Sequence, residues 1–242
     1  MDIIHHYNND HNTISAIEVV PYILEILPVK PKSVLDVGCG LAQWLKVFKD
    51  NGIETVLGID GEHVPSEKIM VDPISEFKVF DLRSIKSLNL KKQFDLALSL
   101  EVAEHLPKEN AEDFIGFLTQ SSNIIIFAAA VIGQTGENHI NEQNPNYWQR
   151  LFRLNGFVML DAFREYFWNY AKVNWWYRQN MFLVVKEEVR KQFRFKEYEN
   201  FYIHPELFAY KENILNNKQQ KDFSFISWLK GSIKKKQGKY ND

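Results

Sequence analysis

The stretch Asn138–Trp148 reads NHINEQNPNYW, with Glu142 three residues beyond His139. An imidazole titrates near neutral pH, so His is the side chain suited to taking a proton from an acceptor. His139 is the first candidate base, with Asn138, Asn141 and Glu142 orienting it or the molecule on which it acts. His105, in EVAEHLP, is the second. A different chemistry is written into Asp36-Val37-Gly38-Cys39-Gly40. Glycines permit a tight turn and close approach of a ligand to the backbone. A carboxylate ahead of them would repel a pyrophosphate but pair with an ammonium. Asp60 closes the next apolar run, where ribose hydroxyls would be read. Further on, FWNYAKVNWWYRQN gathers Trp176, Tyr177 and Arg178. Flat aromatic faces beside Arg and Asn suit a sugar or a nucleotide-linked acceptor. No grouping of His and carboxylates with metal-ligand spacing stands out, so no metal is expected. Cys39, the single cysteine, reads as a small packing residue.

These residues need elements to hold them. SVLDVG is a short apolar run that ends at glycines and reads as a buried strand; TVLGID, FKVFDL, FDLALSL and NIIIFAAAV read as the second to fifth strands, the last the most apolar. Helices alternate with them. LAQWLKVFKDNG ends at Gly52, an amphipathic helix follows Pro107, and NPNYWQRLFRLNG starts at Asn144-Pro145 and closes at Gly156. FVMLDAF and MFLVVK are late strands. Strands alternating with helices predict a mostly parallel sheet covered on both faces. Upstream, Ser15-Ala16-Ile17-Glu18 has the pattern of a capping box that opens a helix. Pro21 is expected to kink that helix, and Pro28 and Pro31 to end it. Residues 1–30 are read as a helical segment, 31–186 as the main domain and 187–242 as a C-terminal extension.

In an open parallel sheet, ligands bind beyond the carboxyl ends of the strands. EVAEHLP after the fourth strand and IGQTGENHINEQ after the fifth therefore bring His105 and His139 to one edge.

VLDVGCGLAQWL resembles the first motif of class I S-adenosylmethionine-dependent methyltransferases. VLGID, KVFDL and FDLALSLEVAEHLP follow in that family's order, and the resemblance covers roughly residues 30–185. It implies a Rossmann-like α/β sandwich with a mostly parallel seven-stranded sheet. It also implies S-adenosylmethionine as cofactor and S-adenosylhomocysteine as product. By the same resemblance Asp36, Gly38 and Gly40 cradle the methionine part, and Gln43 touches its carboxylate. Asp60 takes the ribose hydroxyls, Asp81 and the backbone of Leu82 meet the adenine amine, and Leu100 and Glu101 lie beside the sulfonium. Asn144-Pro145-Asn146-Tyr147 is similar to the Asn/Asp-Pro-Pro-Tyr signature of enzymes that methylate base amines. That signature follows the fourth strand, whereas here the tetrapeptide follows the fifth, so it reads as the start of a helix. HINEQNPNYW, LFRLNGF and WWYRQN in this order resemble a bacterial subgroup associated with surface-polysaccharide biosynthesis. The implied reaction is methylation of an oxygen on a carbohydrate, nucleotide-activated or phosphoryl/phosphoramidate precursor. The alternatives are a small-metabolite or protein N-methyltransferase, and a non-catalytic cofactor-binding module.

Charge narrows the partners. Residues 186–242 carry 13 Lys and Arg against 8 Asp and Glu, which leaves 16 against 23 in residues 1–185. An acidic main body is a poor match for a phosphate backbone, so nucleic acid is not an expected partner. FSFISWLKGSIKKKQGK near the C-terminus pairs aromatics with lysines, which offers contact with an anionic membrane surface or a partner enzyme. No N-terminal signal and no apolar run of membrane-spanning length is seen, and a cytoplasmic location is the expectation.

Overall fold

A computed structural model describes residues 12–90 and 92–216. Seven strands form one sheet: β1 Ser33–Val37, β2 Thr55–Asp60, β3 Phe77–Val79, β4 Leu96–Leu100, β5 Ile124–Ala128, β6 Phe157–Leu160 and β7 Phe182–Lys186. Their order across the sheet is β3-β2-β1-β4-β5-β7-β6. All neighbouring pairs from β3 to β5 are parallel, and β7 runs antiparallel to both β5 and β6. The order of strands reverses between β1 and β4, so the carboxyl ends of these two parallel strands flank a crevice. The fold is the mostly parallel, doubly covered sheet expected from the alternating runs, and the Rossmann-like sandwich that the resemblance implies.

Both faces of the sheet are covered. Residues of β4 alternate between them: Leu96 and Leu98 join one core cluster, Ala97 the other. The first cluster includes α1 Ile14–Ile26 and α2 Gln43–Asp50, and the second includes α3 Ala111–Ser121 and α4 Pro145–Leu154. Strands buried on both sides have no polar face, which is why their sequences read as continuous apolar runs. α4 begins at Asn144 and Pro145 as expected, although the Asn144 side chain makes no capping bond; its carbonyl accepts from Tyr147 N–H at 2.9 Å. Trp148 is buried against Phe127, with ring centroids 5.5 Å apart. Leu154, the last residue of the helix, is exposed.

The N-terminal helix departs from its expected start. Thr13, not Ser15, precedes α1, and Asn12 Oδ1 accepts from Ile14 N–H at 3.0 Å. Ser15 is buried, and its hydroxyl accepts from Asn174 N–H at 3.0 Å. Glu18 accepts from the Tyr170 hydroxyl at 2.6 Å instead of closing a capping box. Tertiary partners 150 residues away therefore override a local pattern. Tyr22 continues the seam: its hydroxyl donates to the Ala162 carbonyl at 2.8 Å and its ring stacks on Tyr166 at 4.4 Å. Pro21 lies within α1, which continues to Ile26.

The chain after β7 returns to the sheet. Tyr198 N–H donates to the Met159 carbonyl, and Glu197 bridges to Leu160. Arg164, buried, ion-pairs with Asp161, donates to the Asn200 carbonyl at 3.2 Å and lies over the rings of Phe182, Tyr198 and Tyr202. This compact unit ends at Tyr202, and a second begins at Ile203. The aromatic-and-lysine stretch proposed for membrane or partner contact lies outside the described residues. Among the described residues, no helix is long and apolar enough to cross a membrane.

Candidate active site

The turn after β1 is shaped by glycine conformations. Gly38 and Gly40 have φ of +81° and +54°, in the left-handed region where a side chain is strained. A Cβ on Gly38 would sit 2.4 Å from Val102 Cγ2, so the glycine is required by clearance as well as by conformation. Gly38 N–H donates to the Ile59 carbonyl at 2.7 Å, tying the turn to β2.

Asp60, at the end of β2, holds the other side of the turn. Its two oxygens accept from Gly40 N–H and Gly61 N–H, each at 2.7 Å. Each carboxylate oxygen has a second lone pair, so these bonds leave capacity for ligand hydroxyls. Burial raises the Asp60 pKa, and the two backbone donors work against that rise.

Asp36 is only 2% exposed. Burial, and then the neighbouring Asp60, push its pKa from 3.8 to about 8. A buried carboxyl of this kind suits a cationic ligand, which restores its charge. Gln43, first residue of α2, is buried with its Oε1 unpartnered. An orphaned amide oxygen, a buried acid and a glycine cradle at one strand end fit the ammonium-bearing methionine part of S-adenosylmethionine. The geometry places Asp36, Gly38, Gly40, Gln43 and Asp60 together at the ends of β1 and β2.

Asp81 stands apart from this group. It is exposed, its carboxylate receives a forked Arg83 guanidinium at 2.8–3.1 Å, and it caps the turn Leu82–Ser87 through Arg83 N–H. Arg83 holds the Asp81 pKa below the ordinary carboxylate value. Contact of this carboxylate with an adenine would require the Arg83 pair to rearrange. Leu82 beside it is buried.

The exit of β4 is where the two candidate histidines meet. Leu100 is buried, and Glu101 follows with φ of +57°. Glu101 accepts from Asn180 Nδ2 at 3.0 Å and from Gln134 Nε2 at 2.9 Å, and Asn180 also donates to Gln134 Oε1 at 2.9 Å. Burial pushes the Glu101 pKa up to about 7 despite these donors. Asn180 ends the helix Trp175–Asn180, so the aromatic segment is anchored to β4 through this triad. Gln134 did not stand out in the sequence, because polar residues in loops are usually solvated, and Asn180, read with the aromatic cluster as a neighbour of the acceptor, instead holds Glu101.

The loop after β5 is clamped to this exit. Ile140 and Asn141 N–H both donate to the Glu104 carbonyl at 2.9 Å. Glu142 organises the loop from within, accepting from Gly133 N–H at 2.8 Å and from His139 Nδ1 at 2.8 Å. His105 Nδ1 lies 3.3 Å from the Asn138 carbonyl. The two imidazoles pack edge to face with centroids 4.8 Å apart. His105 and His139 thus meet at one edge of the sheet, and Glu142 positions His139.

Three residues expected at an acceptor are engaged elsewhere. Asn141 is buried; its side chain accepts from Gln143 at 2.9 Å and donates to the Ala103 carbonyl at 3.5 Å, so it fastens the loop. The Glu142 carboxylate is taken by the loop and His139. Arg178 is buried and donates to the Trp168 carbonyl at 3.0 Å. Trp176 and Tyr177 remain partly exposed. The Tyr177 ring meets Trp44 edge-on at 5.3 Å, and burial, then the Glu101 charge, raise its pKa.

Among the described residues, the non-glycine residues at positive φ are Ala42, Glu101, Thr135 and Asn138. They follow β1, β4 and β5, where the candidate site lies. Left-handed backbone of this kind costs about 1–3 kcal/mol per residue and concentrates at functional sites.

Two predictions arise here. A Cβ on Gly136 would lie 2.2 Å from His139 Nε2, while Glu142 holds the other side of the ring. Gly136→Ala should displace His139 and lower turnover by about tenfold or more, leaving cofactor affinity within about twofold; steady-state kinetics and calorimetry check this. The second concerns pH. With its folded pKa raised to about 8, Asp36 contributes stability to the unliganded fold below about pH 4 that is lost as pH rises through about 8. Melting temperature should therefore fall across that window, and Asp36→Asn should flatten the slope. A parent and variant with parallel pH profiles would contradict the assignment.

Residues 11–125 match the model of a methyltransferase domain. Solved structures share the fold. A SAM-dependent methyltransferase from Archaeoglobus fulgidus is 17% identical, with 64% of this chain and 75% of that chain covered and a TM-score of 0.50. DesVI from Streptomyces venezuelae is 13% identical over 76% of this chain and 96% of its own, at a TM-score of 0.53. The plantazolicin methyltransferase BamL, solved with a substrate analogue and S-adenosylhomocysteine, is 13% identical over 76% and 89%, also at 0.53. No curated protein matches the sequence. The methyltransferase-domain match over residues 11–125, the shared fold and a cradle fitted to S-adenosylmethionine together support a methyltransferase that uses this cofactor.

Proposed function

We propose that the protein transfers the methyl group to an oxygen of a carbohydrate, nucleotide-activated or phosphoryl/phosphoramidate precursor of a bacterial surface polysaccharide. The observation that carries the oxygen assignment is the His105–His139 pair, fixed by Glu142 and the Asn138 carbonyl at the exit of β4 and β5. S-adenosylmethionine supplies a methyl already activated on a sulfonium. The chain must then align the acceptor and exclude water. A hydroxyl acceptor must also lose its proton, which an amine held neutral need not do. A fixed histidine pair at this edge supports the first requirement, with His139 the leading group and His105 the second.

Trp176 and Tyr177 offer partly exposed aromatic faces near Glu101, and a sugar ring packs well on such faces. The acidic balance of residues 1–185 favours a small acceptor over a nucleic acid. The three-part division at residues 30 and 186 and a cytoplasmic location belong to the same reading. A panel of sugars, nucleotide sugars and CDP-linked phosphoryl compounds, scored for S-adenosylhomocysteine release, tests it. Release with a hydroxyl acceptor is expected; release with amine acceptors alone would favour N-methylation, and cofactor binding without turnover on any acceptor would favour a non-catalytic module.

A further inference from the structure

We propose that Glu104, His105 and His139 form a binding site for a divalent transition-metal cation at the methyl-acceptor edge. One candidate ligand atom from each lies within 4.8 Å of the other two. Chain separation hid this cluster, since His139 is 34 residues beyond His105. The fold closes it by clamping the β5 loop onto the Glu104 carbonyl.

A second observation is independent of that spacing. Glu104 is fully buried, and no side chain donates to either carboxylate oxygen; only its own N–H and that of Ala130 act on it, and burial still raises its pKa well above the ordinary value. Glu101, one turn earlier, is also enclosed, but Asn180 and Gln134 satisfy it. A buried carboxylate without side-chain donors is costly, and such groups are retained where they are paired or coordinate a metal. Glu104 lies beside the two imidazoles and has no side-chain donor of its own.

The histidines are oriented for the same purpose. His139 Nδ1 faces the Glu142 carboxylate, and His105 Nδ1 faces a backbone carbonyl. Both partners are acceptors, an arrangement that favours the proton on each Nδ1 and the lone pair on each Nε2. A carboxylate or carbonyl behind the far nitrogen is the usual outer arrangement of metal-ligating histidines. Two imidazoles and one carboxylate suit a first-row transition ion better than Ca2+, and they leave coordination positions for an outside oxygen.

The inference rests on the reading that a hydroxyl acceptor is presented at this edge. An acceptor oxygen bound to the cation is acidified, so its O–H bond breaks and the proton passes to solvent beside exposed His105. The resulting oxygen anion forms the new O–C bond as the C–S bond breaks, its electron pair going to sulfur. In this arrangement the histidine pair promotes loss of the proton to solvent by holding the cation, and does not itself accept the proton.

The test uses the full chain, stripped with chelator and desalted. Titration with Mn2+ followed by electron paramagnetic resonance, and with Co2+ followed by visible absorption, should each show one site. Glu104→Gln and His105→Ala should weaken binding by at least about tenfold, and Glu142→Gln should weaken it less. His105 is exposed, so its variant is expected to fold, and circular dichroism checks both. Equal binding by parent and variants, or none, would overturn the proposal. Turnover separates the two claims. Hydroxyl methylation abolished by chelator and restored by Mn2+ supports the cation, whereas chelator-insensitive hydroxyl methylation removes the cation and leaves oxygen transfer standing. A bound ion with amine methylation alone would keep the site and remove its role in oxygen transfer.

Discussion

Replacing His139 with alanine lowers turnover at least about 100-fold while S-adenosylmethionine affinity stays within about twofold. The argument is positional. His139 lies on the β5 loop and makes none of the hydrogen bonds that hold the Gly38–Gly40 turn, so its loss should leave the cofactor cradle intact. Its ring is fixed on one side by Glu142 and packed edge-on against His105. A side chain held this way contributes a defined proton site or ligand atom, and alanine supplies neither. Single-turnover kinetics with calorimetry of cofactor binding reads both halves. Near-normal turnover would remove His139 from the chemistry. Equal loss of turnover and affinity would show instead that the loop supports the cofactor pocket.

Gly38→Ala gives the opposite signature: cofactor affinity falls by about 100-fold or more, and the melting temperature drops by several degrees. Two costs act together. The residue sits at φ +81°, and its new Cβ would lie 2.4 Å from Val102 Cγ2 and 2.6 Å from Cγ1. Val102 is buried and immediately precedes the turn Ala103–His105, so it has little room to yield. The intrusion narrows the cradle and also presses on the backbone that carries Glu104 and His105. Gly116→Ala is the control. It lies in the middle of α3 with nothing within 4 Å of its added Cβ, and should be neutral or slightly stabilising. Similar effects from both substitutions would refute the clearance argument.

Much of the fold was legible because its signals are local. The apolar runs that became β1, β4 and β5 are buried on both faces, and the glycines that end β1 are demanded by its turn. Asn144-Pro145 opens a helix wherever it stands, which is why its likeness to a base-recognition tetrapeptide had no structural force. Ser15 and Glu18 show the limit. Their spacing specifies a capping box, yet Asn174 and Tyr170, far along the chain, claim both side chains.

The candidate site was legible in the same uneven way. Placing His105 and His139 at one edge needed only the strand order, since ligands collect beyond carboxyl ends. Placing Glu104 beside them did not follow, because a glutamate in a loop normally reads as solvated. Its burial arises from the loop that folds over it. Asn141 and Arg178 show the converse, since polar residues near an expected acceptor prove to be fasteners of the backbone. Gln134, which holds Glu101, gave no local signal, and Asn180 was read toward the acceptor where it in fact holds Glu101.

The central claim is that the methyl group goes to an oxygen at the His105–His139 edge. Its most direct test is the position of an isotopically labelled methyl, carried by S-adenosylmethionine, in the product formed by the parent enzyme and by His139→Ala. The account predicts an O-methyl resonance with the parent that is lost with the variant. An N-methyl resonance, or an O-methyl product formed equally well without His139, would contradict it.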